Sequence, residues 1–208
     1  MSDILLYPYL KYGTNAERLA FTPAPIAGNK MLYAWRETDT GSLYLYDTAW
    51  HLVAVGTTSK LVQQVVTQVS AVNSGSTQIP ADDTIPQNGE GIEFMTLAIT
   101  PTNAANRLVI DAQCMLASSV TARYGTMALF QDTTVDALAA TVGYFRDTNS
   151  MFQQPLAHHM TAGTTSATTF KIRAGLHSTG TLTFNGVAAG RLYGGVASSF
   201  IRISEIIP

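Results

Sequence analysis

The strongest signal along the chain is alternation. In residues 107–116 the apolar positions Leu108, Ile110, Ala112, Cys114 and Leu116 share one parity, while Asp111 and Gln113 take the other. In residues 166–176 Phe170, Ile172, Ala174 and Leu176 alternate in the same way with Lys171 and Arg173. A period of two is that of a strand with one buried face. Residues 92–100, 121–131, 138–145, 156–161, 181–184 and 199–207 read as further strands, broken by Pro101-Thr102-Asn103 and by the hairpin-type signal Asn185-Gly186. No stretch after residue 75 has helical periodicity. The pattern predicts an all-β fold, an antiparallel β-sandwich of the jelly-roll kind.

Residues 57–74 are ambiguous. Leu61, Val62, Val65, Val66, Val69 and Val72 lie on one helical face, opposite Gln63, Gln64, Thr67, Gln68 and Ser70. β-branched residues dominate and Ala, Glu and Lys are nearly absent, which favours a strand; a short helical neck over residues 60–72 is the alternative. Further upstream, residues 31–36, 42–46 and 50–55 predict three short strands around the turns Asp39-Thr40-Gly41 and Asp47-Thr48. They hold Tyr33, Trp35, Tyr44, Tyr46 and Trp50 and form a small aromatic meander. Before it, residues 5–10 are apolar and aromatic around Pro8, and Pro23 and Pro25 favour an extended connector.

Some apolar residues fall on the wrong parity. Val109, Met115, Met127, Phe200 and Ile206 occupy the face that a one-sided antiparallel sheet leaves to water. This predicts burial of a second face against another subunit. Composition sharpens the point. Charged residues make up 12% of the 208 residues, against roughly 25% in an ordinary domain. Thr and Ala stand in their place, roughly 27 and 26 of them, well above average usage. Such a surface lets copies approach without desolvating charges. Hydrophobic residues are 46% of the chain, so disorder is excluded. The net charge of −2 gives no basic footprint for nucleic acid. No apolar run approaches the roughly 18 residues of a membrane helix. The start, with Asp3 and no basic segment, does not read as a signal peptide.

Candidate chemistry is sparse. His159-Met160-Thr161-Ala162 and His177-Ser178-Thr179 loosely resemble the paired-histidine pattern of phosphoesterases, but the second lacks apolar flanks. His158 and His159 are adjacent, so in a strand they point to opposite faces and do not share a metal ion. Asp82, Asp83, Glu90 and Glu93 lie in a stretch without Lys or Arg, as calcium ligands or as a solvated loop. There is no nucleophile elbow and no phosphate loop; the glycine-rich run at residues 186–195 reads as a tip or crossover loop. Cys114, the single cysteine, takes an inward position and reads as a small core residue. The expectation is no enzyme, with no catalytic, cofactor or metal residues.

The wording of several segments carries a resemblance. The run Ile79-Pro80-Ala81-Asp82-Asp83-Thr84-Ile85-Pro86-Gln87-Asn88-Gly89-Glu90-Gly91 and then Glu93-Phe94-Met95-Thr96-Leu97-Ala98-Ile99-Thr100-Pro101-Thr102 resembles a segment of the tail-fibre and head-fibre proteins of tailed bacteriophages. So do Ala128-Leu129-Phe130-Gln131-Asp132, the stretch from Met160 to Gly175, and the ending from Ile201 to Ile207. The likeness covers roughly residues 60–208. It implies a homotrimeric jelly-roll head domain, similar to the heads of complement and tumour-necrosis-factor proteins. Residues 38–50 are similar to a short aromatic meander of phage fibre and virion proteins.

The resemblance gives a set of expectations. Residues 1–56 form an N-terminal anchoring or stem segment and residues 57–208 the head. The chain is a structural virion component, made in the host cytoplasm and carried on the particle surface. The first reading is a tail fibre or tail tip whose head contacts a host glycan or protein; the alternative is a capsid head fibre or decoration protein with a purely structural role. Tyr33, Trp35, Tyr44, Tyr46 and Trp50 are candidates for docking to other virion proteins or for the trimer stem, the other reading being a hairpin that completes the same domain. Tyr124, Tyr144, Phe145, Arg191 and Tyr193 are candidates for host contact, with burial in the core as the other reading of each.

Overall fold

The computed structural model describes residues 9–21, 33–46, 50–54 and 60–208, and the chain divides into two compact units, residues 1–59 and 60–208. The predicted connector around Pro23 and Pro25, and the part of the apolar start before Tyr9, lie outside the described residues.

The first unit contains β1 (Tyr9–Gly13), α1 (Asn15–Ala20), β2 (Tyr33–Glu37), β3 (Leu43–Tyr46) and β4 (Trp50–Ala54). The predicted meander is present as β2-β3-β4, and β1 adds to it in parallel against β2. The hydrophobic pattern gives no warning of β1 or α1, and the capping-box spacing is the one local signal for α1. A capping box starts α1: the Thr14 hydroxyl accepts from the Glu17 N–H while the Glu17 carboxylate accepts from the Thr14 N–H. The helix delivers Arg18 inward, where its guanidinium donates to Glu37 at 2.8 Å and to Asn15 at 2.9 Å. Trp35 is buried beside Phe21 and Trp50, with ring centroids 5.6 and 6.1 Å away, and its indole N–H donates to the Gly13 carbonyl.

The second unit is built from β5 (Lys60–Val69), β6 (Asn73–Gly75), β7 (Ile92–Ile99), β8 (Arg107–Ser118), β9 (Arg123–Gln131), β10 (Ala139–Phe145), β11 (Met151–Thr161), β12 (Thr168–Leu176), β13 (Leu182–Phe184), β14 (Gly186–Val187), β15 (Gly190–Arg191) and β16 (Ser199–Ile207). The ambiguous segment 60–72 is thus mainly strand. Every predicted strand after it is present, with β11 longer than expected.

Pairing of the eight long strands is nested. β5 pairs with β16, β7 with β12, β8 with β11, and β9 with β10, all antiparallel. Rolling up this long double ribbon brings β16 beside β8 and β12 beside β9. Two sheets result, β10-β9-β12-β7 and β5-β16-β8-β11, with β13 and β6 extending the second. This is the jelly-roll arrangement, which leaves few free edges.

The core lies between the sheets. Leu108, Ile110, Cys114 and Leu116 from β8 meet Phe170, Ile172 and Leu176 from β12. Phe94 on β7 stacks on Phe184 on β13, 4.8 Å apart and nearly parallel, and so joins the two layers. Cys114 is fully buried, and burial pushes its thiol well above the usual range. The native protein is therefore expected to leave a colourimetric thiol reagent unreacted, with one thiol per chain appearing only in denaturant. Prompt reaction in native buffer would contradict this packing.

The first sheet is covered on its outer face by the chain itself. Thr126, Ala128 and Phe130 on β9 are buried, and Ile79 from the loop after β6 packs with Ala128 and Phe130. Gly175 permits this approach: a Cβ there would stand 2.6 Å from the Thr77 carbonyl oxygen. Arg173 holds the loop with bonds to the Glu90 and Gly91 carbonyls. This corrects one expectation. Met127 points into the main core rather than to a second face, because β9 is buried on both sides from Gly125 to Phe130 and its parity gives no clue.

Candidate functional site

The outer face of the β5-β16-β8-β11 sheet is different. Cross-strand register places Gln64, Val66 and Gln68 on β5 beside Ser204, Arg202 and Phe200 on β16, then Val109, Asp111 and Gln113 on β8, then His159, Ala157 and Pro155 on β11. Val66 is 60% exposed, and Val109, Met115, Phe200 and Ile206 are half-buried. At the centre Arg202 donates to Asp111 at 2.9 Å, while its Nε is enclosed without a partner among the described residues. Gln64 donates to the Ser204 hydroxyl at 2.9 Å. The central charges pair with each other, Arg107 stands exposed at the Ile206 end, and the remaining positions are apolar, amide, the Ser204 hydroxyl and the His159 imidazole.

At the end of the sandwich, Tyr124 and Tyr144 are direct partners across β9 and β10, and both are about half exposed. His177, just past β12, completes the cluster with its ring centroid 5.4 Å from that of Tyr124. Its partnership with Tyr124 has no local signal, because it depends on the register of two strands some fifty residues apart. Phe145, also a host-contact candidate by position, is a core residue: neighbours in a strand face opposite ways, and it packs 4.5 Å from Phe152 under Gly125. Its burial excludes a surface contact, which corrects the expectation. Tyr193 is 78% exposed and Arg191 is exposed on the separate loop 186–196. No described ring contact or hydrogen bond links them to the tyrosine pair.

Among the docking candidates, Trp35 lies inside the first unit, and Tyr44 lies under the Arg18 guanidinium at 3.8 Å. Trp50 is half-buried against Trp35. These three rings pack within the first unit. Tyr33 and Tyr46 are backbone partners in β2 and β3. Tyr12 and Leu19 are the large exposed hydrophobic residues described in this unit.

The ionisable groups have separate attachments. Asp82 accepts from the Thr84 hydroxyl and N–H, which hold it below the usual carboxylate range. Glu90 accepts from the Gln87 N–H, and Glu93 pairs with Arg173 at 3.6 Å and Lys171 at 3.8 Å. Among the described residues, no three His, Cys, Asp or Glu side chains form a metal-binding group. His158 is half-buried and His159 exposed; burial, then the neighbouring His159, lowers His158. His159 and His177 sit on different sheets, so the paired-histidine arrangement is not assembled. Glu205 is fully buried. Burial alone would raise its carboxyl, but Gln63, Asn106 and Thr102 donate to it and bring it down to about 2. It ties β5 and β16 to the loop after Pro101. No helix among the described residues is long and apolar enough to cross a membrane.

No family model matches the sequence, and none of the curated proteins matches it. Solved structures are similar in fold. The Eiger tumour-necrosis-factor protein from S. frugiperda matches over 69% of this chain and 93% of its own, at 10% identity and a TM-score of 0.40. Two infectious bursal disease virus structures match as well. The Gx strain covers 80% of this chain and 45% of its own at 13% identity and a TM-score of 0.34. The Gt strain covers 92% and 53% at 15% identity and a TM-score of 0.35. The chain thus spans about half the length of the two viral chains. With none of these scores reaching one half, the fold stands on this chain's own strand order: it is an all-β, mostly antiparallel β-sandwich of jelly-roll topology.

Proposed function

We propose that this chain is a non-enzymatic structural protein of a bacteriophage virion surface, working as a homotrimer, and that it sits on the capsid as a head fibre or decoration. The observation that carries the reading is the open face of the β5-β16-β8-β11 sheet. Four strands at about 4.8 Å spacing and about nine residues at 3.3 Å give a flat face of roughly 600 Å² in projection. That is the order of the roughly 800 Å² per partner of a stable interface. Its central ion pair is internal to each copy, which leaves Arg107, at the Ile206 end, as the charged group of the face outside that pair. The other sheet has its own covering loop, and this one has none among the described residues. The resemblance of residues 60–208 to phage fibre proteins supplies the setting, and a role made of packing surfaces asks nothing more of the site.

A second reading, a tail fibre or tail tip touching the host, is favoured by the exposed Tyr124–Tyr144 pair. Light scattering of the purified chain tests the first part: a trimer is expected at micromolar concentration, and Val66→Glu with Phe200→Glu is expected to yield folded monomer. A monodisperse wild-type monomer overturns it. Gold-labelled virions in negative stain test the second. Label on heads supports the capsid position, and label confined to tails replaces it with the second reading. Hydrolysis of host polysaccharide by the protein would overturn the non-enzymatic assignment.

A further inference from the structure

The Tyr124, Tyr144 and His177 cluster is a prearranged surface. The two tyrosine rings are 5.3 Å apart with planes inclined at 55°, and the imidazole meets Tyr124 edge-on at 68°. Backbone bonds hold the imidazole in place. The Tyr124 N–H donates to its Nδ1 at 3.0 Å, and the His177 N–H donates to the Tyr124 carbonyl at 3.0 Å. With Nδ1 accepting, the proton of the neutral ring is on Nε2, which lies 3.3 Å from the Ser178 hydroxyl. Gly125 beneath the pair leaves room for Phe145, whose ring would stand 2.3 Å from any Cβ there. The platform therefore rests on the core.

We propose that this cluster binds a saccharide ring. Tyrosines at 47% and 53% exposure leave about half of each side chain bare, roughly 200 Å² in all. That is about a quarter of what a stable protein partner requires, but it suits one sugar ring. The tilt suits it too. A puckered ring presents C–H groups to two inclined faces, whereas a flat base stacks on one plane. Of the two nearby cations, Arg123 is engaged elsewhere, donating to the carbonyls of Thr121, Ala122 and Thr179, and Arg146 is exposed just past the end of β10. The phenol hydroxyls, imidazole Nε2 and Ser178 supply polar groups at the edge of the apolar surface, the usual make-up of a small-ligand site. The site gives the host-contact reading a ligand class, but it needs only this surface, neither the trimer nor a position on the virion.

Saturation-transfer NMR on the full chain, with the methyl glycosides of glucose, galactose, mannose, rhamnose and N-acetylglucosamine as probes, tests it. Transfer to ring C–H protons of at least one glycoside is expected. Tyr144→Ala and Tyr124→Ala should weaken it about tenfold, and Tyr144→Phe should retain it. Amide shifts in the wild type, at Tyr124, Tyr144 and His177, decide the same point if an alanine variant does not fold. No transfer to any of the five, transfer that persists in both folded alanine variants, or shifts confined to other residues overturns the proposal. The oligomeric state and virion position are read in separate experiments, so the two proposals fail independently.

Discussion

Acidification is expected to remove about 3 kcal/mol of folding stability as Glu205 takes up a proton, and Glu205→Gln is expected to lose that stability at neutral pH instead. The wild-type carboxylate is buried and held by Gln63, Thr102, Asn103 and Asn106. Burial works against its charge, and these donors more than offset it, so its folded pKa is about 2 against an ordinary 4.5. A folded pKa below the unfolded one stabilises above the unfolded value, and the benefit disappears as pH falls from about 4.5 to about 2. Glutamine keeps one accepting oxygen but presents N–H groups in place of the other, so it satisfies only part of this donor set. Urea unfolding of both proteins across this range checks the point. The difference between them should be about 3 kcal/mol near neutrality and shrink toward zero near pH 2. A constant difference would show that the carboxylate is not the source.

Phe184→Ala is expected to cost about 3–5 kcal/mol, with a fall in Tm of roughly 10 °C or more. Phe184 is buried on β13 and stacks on Phe94 of β7, so its removal opens a cavity where the two sheets meet. A short strand holds it in place: β13 has three residues, pinned between β8 and β6. Tyr193→Ala, at an exposed loop position, should stay within about 0.5 kcal/mol and serves as the control. In a double-mutant cycle with Phe94→Ala, the stacked pair should show a coupling of about 1 kcal/mol. A loss for Phe184→Ala no larger than the control's would contradict the packing described.

Legibility in the sequence follows burial. β8 and β12 have one wetter side, so their parity alone names their core residues. β9 is buried on both sides, and its sequence assigns Met127 to the wrong face. The apolar positions Val109, Met115 and Phe200 are visible as parity errors, and they map to the open sheet face. In the first unit the signal for α1 is faint: Thr14 followed three residues later by Glu17 is a capping box, but one turn and a half of helix leaves no periodicity to support it. β1 joins by parallel pairing at a distance, for which no local pattern exists. Similarly, Tyr124 and Tyr144 can be named singly, but their contact with His177 comes from strand register.

The nested pairing has a consequence for how this chain is made. β16 is not an edge: it runs between β5 and β8, so the last strand of the unit fills a slot beside the first, Lys60 opposite Ile207. A ribosome must release nearly all of this unit before that slot can be filled. Until then β5 and β8 stand apart with unpaired backbone, and such long-range closure is slow and exposed to aggregation. Loss of β16 alone should therefore yield not a shorter domain but an unfolded one, so that closure of this unit itself reports that its last strand has been made.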